Sequence, residues 1–215
     1  MRDGFVRVAA ATPKIRVADP EYNRKEIVKL MLEGEKQQVE VMVFPELCLT
    51  GYTCQDLFLQ YPLLRRAKEE LGEIVKASCD LNMLIFVGLP WERNGKLYNV
   101  AAAVCRGKLL GLVPKKNLPN YSEFYELRHF CPGNDRPEEA PDGFDGQPVP
   151  MGSRLLFRCA GHPELTVAAE ICEDVWVPCP PSIRHALEGA TLIVNCSASD
   201  ETTGKDVYRH DLICG

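Results

Sequence analysis

Residues 165–171, Leu-Thr-Val-Ala-Ala-Glu-Ile, form a largely apolar, β-prone run that gives way at once to Cys172-Glu173-Asp174. A strand that ends on a cysteine and then turns tightly holds the sulfur at a sheet edge beside backbone N–H groups, which can stabilise a developing oxyanion. By itself the thiol is one of ten cysteines, and packing as a small apolar side chain is the commoner fate of a free cysteine. A nucleophile also needs a base, which must come from elsewhere in the chain. Phe44-Pro45-Glu46 offers one, a carboxylate held directly after a proline in an otherwise apolar stretch and so expected to be partly desolvated, although by position alone a surface glutamate at a strand exit is the commoner case. Pro114-Lys115-Lys116-Asn117-Leu118-Pro119 ends another apolar run in lysines, and Ser197-Ala198-Ser199 follows a third. A carboxylate base, an ammonium and a thiol suffice for acyl transfer from an amide. His129 falls in a long loop and His185 in a helix, so a Cys-His pair has less support.

The elements that must position these groups follow from hydrophobic periodicity. Residues 5–11 read as a strand. Residues 21–38 read as a helix, with Ile27, Val28, Met31 and Leu32 at helical spacing, and 39–44 as a buried strand, which together favour a parallel β-α-β unit. A second helix is expected over 62–78 and a strand over 83–89. Residues 97–105 and 108–113, joined at Arg106-Gly107, read as a hairpin, as do 154–159 and 165–171 around Gly161-His162-Pro163. A short helix over 182–188, a strand over 191–196 and a helix beginning near Asp206 complete the chain. Residues 120–152 are irregular. Their aromatic segment Tyr121-Ser122-Glu123-Phe124-Tyr125 is expected to pack beside a site, and 134–150 to form a surface excursion.

The 215 residues, 46% hydrophobic and 26% charged with net charge −5, fit one domain over 1–215 and argue against a nucleic-acid surface. No apolar run approaches the roughly 18 residues that a membrane span requires, and the N-terminus does not read as a signal peptide. Ten cysteines without a C-x-x-C pair, and four isolated histidines, point to reduced thiols in a cytoplasm and away from structural zinc.

The three motifs in this order resemble the nitrilase, or carbon-nitrogen hydrolase, superfamily, whose Glu-Lys-Cys triad matches Glu46, Lys115 and Cys172. Within it, the run from Phe44 to Phe58, Lys115 to Tyr125, and Cys172-Glu-Asp-Val-Trp-Val-Pro look like the glutaminase domains of glutamine-dependent NAD synthetases, and the match runs through essentially the whole chain. The resemblance implies an α-β-β-α sandwich, often assembled face to face as a homo-oligomer. It implies hydrolysis of the side-chain amide of L-glutamine through a Cys172 thioester, with Glu46 as base and an oxyanion held by Lys115 and the Glu173 N–H. It places Tyr121, Glu173 and Ser199 against the amino-acid end of glutamine, Lys205 near a basic clamp, and Tyr52 along the route by which ammonia leaves. ATP and Mg belong to a synthetase domain whose Ser-Gly-Gly-x-Asp-Ser loop is not found here, so no cofactor is expected for these residues. The family's amidase domain normally continues further, so a truncated sandwich with an uncovered sheet edge is expected. A free-standing hydrolase of another small amide, and a catalytically incompetent binding or dimerising fragment, are the rival readings.

Overall fold

Asp19 starts the first helix by accepting from the Tyr22 N–H, with Pro20 in the first turn where a missing N–H costs nothing. The computed structural model describes residues 4–140, 144 and 148–214. In it, helix α1 spans Pro20–Lys36 and helix α2 Tyr61–Ala77. Strands β1 (Val8–Ala10), β2 (Val41–Val43), β3 (Leu84–Arg93), β4 (Lys96–Cys105), β5 (Lys108–Pro114), β6 (Glu138–Ala140) and β7 (Val149–Met151) form one sheet, in the order β1-β2-β3-β4-β5-β7-β6. Strands β8 (Leu156–Arg158), β9 (Thr166–Ile171) and β10 (Leu192–Cys196) form a second, in the order β10-β9-β8. The expected parallel β-α-β start is present, with Val8 opposite Val41.

Side-chain alternation builds the layers. Ile85, Val87 and Leu89 of β3, with Val100, Ala102 and Val104 of β4, pack against Ile27 and Met31 of α1 and Leu71, Ile74 and Val75 of α2. The residues between them, Phe86, Ala101 and Ala103, face Val167, Ala169 and Ile171 of β9 and Val194 of β10. Alanines on that face let two sheets approach, and Phe86 fills the gap edge-on against Phe157, with centroids 5.5 Å apart. Helix α3 (Pro181–Leu187) covers β9 from outside, where the Ser182 N–H donates to the buried Glu170 carboxylate. Helix α4 (Lys205–Cys214) buries none of its described residues. The layer order is that of the α-β-β-α sandwich.

Several boundaries differ from the sequence reading. The first strand keeps only Val8–Ala10 of the expected 5–11, because it is a sheet edge, and Val8 is exposed. The third strand runs past Leu89 to Arg93 and turns back into β4 at Asn94-Gly95, both at positive φ. Pro90 lies opposite Asn99 in the β3–β4 ladder but beyond Phe86, where the β2–β3 pairing ends, so on the β2 side no strand needs its missing N–H. The irregular region holds a 3₁₀ turn over Glu126–Arg128 and the strands β6 and β7, whose three-residue lengths leave no periodic signal. Of the expected excursion over 134–150, residues 141–143 and 145–147 lie outside the described residues, as do residues 1–3 and 215 of the terminal readings.

Candidate active site

Four strand ends supply the chemistry. Strand β9 ends at Ile171, and Cys172 begins a 3₁₀ turn with φ at +44°, a left-handed conformation that few non-glycine residues adopt. Asn195 of β10 holds this strained turn by accepting the Cys172 N–H at 3.1 Å, and its own amide is fixed by Glu170 at 3.3 Å. Asp174 closes the turn by accepting from the Ile171 N–H at 3.1 Å. The same carboxylate takes the Asn117 N–H and side-chain amide, both at 2.8 Å, and the Lys116 N–H at 3.4 Å. One buried carboxylate thus clasps the end of β5 to the end of β9, and burial pushes its pKa up.

Beyond β2, Glu46 crosses directly over β3. A Cβ on Gly88 would lie 2.4 Å from the Leu47 nitrogen and 2.5 Å from the Pro45 carbonyl, so only glycine permits the crossing. Glu46 is 1% exposed. Its Oε1 accepts from Lys115 Nζ at 2.7 Å and from Asn99 Nδ2 at 2.6 Å, and its Oε2 from the Ala198 N–H, beyond β10, at 3.3 Å. Lys115 is wholly buried and bridges Glu46 and Glu126, the latter at 2.6 Å. Burial alone would push the ammonium down, but the two carboxylates hold it above its ordinary value. The Cys172 thiol is pushed up to about 12, first by burial and then by the Glu46 charge, against the opposing pull of Lys115 and a hydrogen bond with Ser197. A thiol in that state is protonated at neutral pH, and Glu46 is among its hydrogen-bond partners.

Glu46, Lys115 and Cys172 are therefore brought together as expected, and they are joined by residues the sequence reading passed over. Glu126 is the main one. It accepts from Lys115 and, at 2.8 Å, from the Tyr52 hydroxyl, and its pKa is raised by burial and by Glu46. Its signal was its place directly after the aromatic segment already expected beside a site. Asn99, Asp174 and Asn195 were the others, and only Asp174, two residues after Cys172, lay within a quoted motif.

The other candidate residues separate into two groups. The Tyr121 hydroxyl bonds both oxygens of Glu173, at 3.1 and 2.9 Å, and Phe124 packs edge-on against Tyr121 and Tyr52. Burial and Glu173 push the Tyr121 phenol up to about 12. Ser199 lines a cavity of about 530 Å³ with Pro45, Asn195, Ser197 and Trp176, next to the thiol's own partners. Lys205 is instead engaged by Asp200 and lies over the rings of Trp176 and Phe124. Tyr52, assigned to an ammonia route, spends its hydroxyl on Glu126. The histidines have other partners: His129 meets Asp56, and the buried His185 meets the Ser153 carbonyl. All ten cysteines are free thiols. Among the described residues no cluster of three or more His, Cys, Asp or Glu could hold a metal ion, and no helix is long and apolar enough to cross a membrane.

Residues 7–213 match the family of carbon-nitrogen hydrolases. The chain is 42% identical over 202 residues to the glutamine-dependent NAD(+) synthetase of Mycobacterium leprae (strain TN), covering 94% of this chain and 29% of that protein. It superposes on a glutamine-dependent NAD(+) synthetase from Cytophaga hutchinsonii with TM-score 0.85 at 31% identity, covering 97% of this chain and 33% of that one. An amidase from Nesterenkonia sp. shares the fold, with TM-score 0.72 at 20% identity over 96% of this chain and 70% of its own. The chain spans about a third of the length of the curated relatives it matches.

Proposed function

This chain belongs to the carbon-nitrogen hydrolase family, and on that premise we propose that it hydrolyses the side-chain amide of L-glutamine as the glutaminase part of a glutamine-dependent NAD synthetase. The observation that carries the reading is the Glu46 carboxylate, bonded to Lys115 on one side and to the Cys172 thiol on the other in a buried site. Glu46 takes the thiol proton as Cys172 Sγ attacks the carboxamide carbon, giving a tetrahedral oxyanion. An ammonium has three donors, and two of those on Lys115 are committed to Glu46 and Glu126, so the third is available to the oxyanion together with the Glu173 N–H. As the intermediate collapses, the C–N bond breaks and Glu46 passes its proton to the departing ammonia. Water, deprotonated by Glu46, then hydrolyses the glutamyl thioester to glutamate and regenerates the thiol. Base catalysis of this kind contributes roughly 10²–10⁴ in rate and one oxyanion donor roughly 10²–10³.

Tyr121 and Glu173, already paired, would receive the α-amino group, and Ser199 would border the same pocket. Lys205 would reach the α-carboxylate only by leaving Asp200. The ammonia would amidate nicotinic acid adenine dinucleotide in a synthetase domain using ATP and Mg, neither of which the amide hydrolysis needs. A homo-oligomer in a reducing cytoplasm is the setting that fits ten free thiols and the uncovered outer face of α4. Ammonia release from L-glutamine tests the reading. It should be measurable for this chain and absent for Cys172→Ala, whereas equal rates, or release from other amides with glutamine untouched, would overturn it.

A further inference from the structure

Asn99 belongs to strand β4 but serves two catalytic elements. Its side-chain Nδ2 donates to Glu46 Oε1 at 2.6 Å and reaches Glu126 Oε2 at 3.5 Å. Its backbone carbonyl accepts the Lys115 N–H at 2.8 Å, where the β4–β5 ladder ends at Val100 and Pro114. The side chain is 1% exposed, and its Oδ1 is buried without a hydrogen-bond partner among the described residues. That pattern is informative. An unpaired interior acceptor is unfavourable, so a residue selected for packing alone would be apolar at this position. The amide orientation is also fixed by its surroundings, since Oδ1 turned toward two carboxylates would be repelled and Nδ2 is attracted.

Two carboxylates and one ammonium share this interior, and Oε1 and Oε2 of Glu46 are chemically equivalent until something distinguishes them. Lys115 and Asn99 both engage Oε1. Oε2 accepts the longer contact from the Ala198 N–H. We propose that Asn99 is the positioning residue of the acid–base pair, occupying Oε1 of Glu46 so that Oε2 is the oxygen presented to the Cys172 thiol, and holding Glu46 apart from Glu126 while its carbonyl anchors Lys115. Asn99 touches neither substrate nor sulfur, and it acts through Glu46. The titratable groups that face Glu46 are Lys115, Glu126, Tyr52, Cys172 and Cys196.

The inference deepens the glutaminase reading and rests on it for the effect on turnover, so the test includes a reaction that needs no glutamine. The rate of Cys172 alkylation by iodoacetamide between pH 6 and 9, read by mass spectrometry, follows the Glu46–thiol pair directly. Ammonia release from glutamine is followed in parallel. Asn99→Ala is expected to slow alkylation and kcat by about 10–100-fold with KM within a factor of two, as displacement of a catalytic group by up to an ångström does. Asn99→Asp keeps the shape and the backbone carbonyl but introduces a carboxyl that can donate to Glu46 only when protonated. Its alkylation rate relative to the unmodified chain is therefore expected to recover as pH falls toward 6, which a purely structural role would not produce. If Asn99→Ala does not fold, Asn99→Asp and Asn99→Ser carry the test. A constant ratio across pH, or alkylation within twofold of the unmodified chain in soluble variants, overturns the proposal. Absent glutamine turnover with the alkylation pattern intact would instead refute the glutaminase reading and leave the role of Asn99 standing.

Discussion

Lys115→Met removes the ammonium that, among the described residues, bonds both Glu46 and Glu126, while preserving most of the side-chain volume. The wild-type lysine is wholly buried, with its nitrogen 2.7 Å from Glu46 and 2.6 Å from Glu126. Removing one partner of such a buried group typically costs about 3–5 kcal/mol, because the remaining charge is left uncompensated. For a chain of this size about 1 kcal/mol moves the midpoint by roughly 2–4 °C, so a fall of about 6–20 °C is expected at pH 7.5. The loss should depend on pH in a defined sense. Glu126 already has its folded pKa raised by burial and by Glu46, and without the ammonium the Tyr52 hydrogen bond is left to oppose that shift. A group with a raised folded pKa favours the folded state below its unfolded pKa, and that contribution is lost as pH rises through the folded value. The variant should therefore be least impaired near pH 5 and most impaired above pH 7. Urea unfolding of both proteins at pH 5, 6, 7 and 8, followed by circular dichroism, measures the difference. A penalty below about 1 kcal/mol at pH 7.5, or one that grows toward acid, would refute the buried two-carboxylate arrangement.

Gly88→Ala should abolish ammonia release and lower stability by roughly 2–4 kcal/mol, because its Cβ would lie 2.4 Å from the Leu47 nitrogen; soluble, active protein with an unchanged melting point would contradict the crossing described for Glu46. Asp174→Ala, which leaves the donors of Ile171, Lys116 and Asn117 unpaired, should cost about 2–4 kcal/mol and lower kcat, as read by unfolding and ammonia assays. Glu46→Gln removes a charge and a hydrogen bond that both raise the Cys172 pKa, so the thiolate absorbance of Cys172 should emerge at lower pH than in the unmodified chain, although turnover is lost. Alkaline stability should also fall. The Cys48 and Cys172 thiols, pushed up to about 12 mainly by burial, each favour folding fully below the unfolded pKa of about 8.5 and lose roughly 2 kcal/mol of that contribution by pH ~10, which urea unfolding under reducing conditions would show.

The triad was legible because each member directly follows an apolar run, and strand ends in one sandwich share a rim. Helices α1 and α2 were legible from their periodicity, and both hairpins read from the sequence are present, with small shifts at their ends. The β3–β4 hairpin was not read as such, because the strand expected over 83–89 stopped short of the Asn94-Gly95 turn. Glu126 and Asn99 escaped for a different reason. Each is a polar residue whose partners lie far off in sequence, so only the folded chain shows that Lys115 has a second carboxylate and Glu46 a second donor. Lys205, expected near a basic clamp, is ion-paired with Asp200 in the fold.

Cys172 is a buried thiol that Glu46 is proposed to make nucleophilic toward glutamine. A chloroketone analogue of glutamine, followed by peptide mapping in a mass spectrometer, tests it most directly. A single adduct on Cys172 is expected, suppressed by excess glutamine and lost in Glu46→Gln, with the buried Cys48 and Cys196 unmodified. Labelling of Cys48 or Cys196 while Cys172 remains free would contradict it.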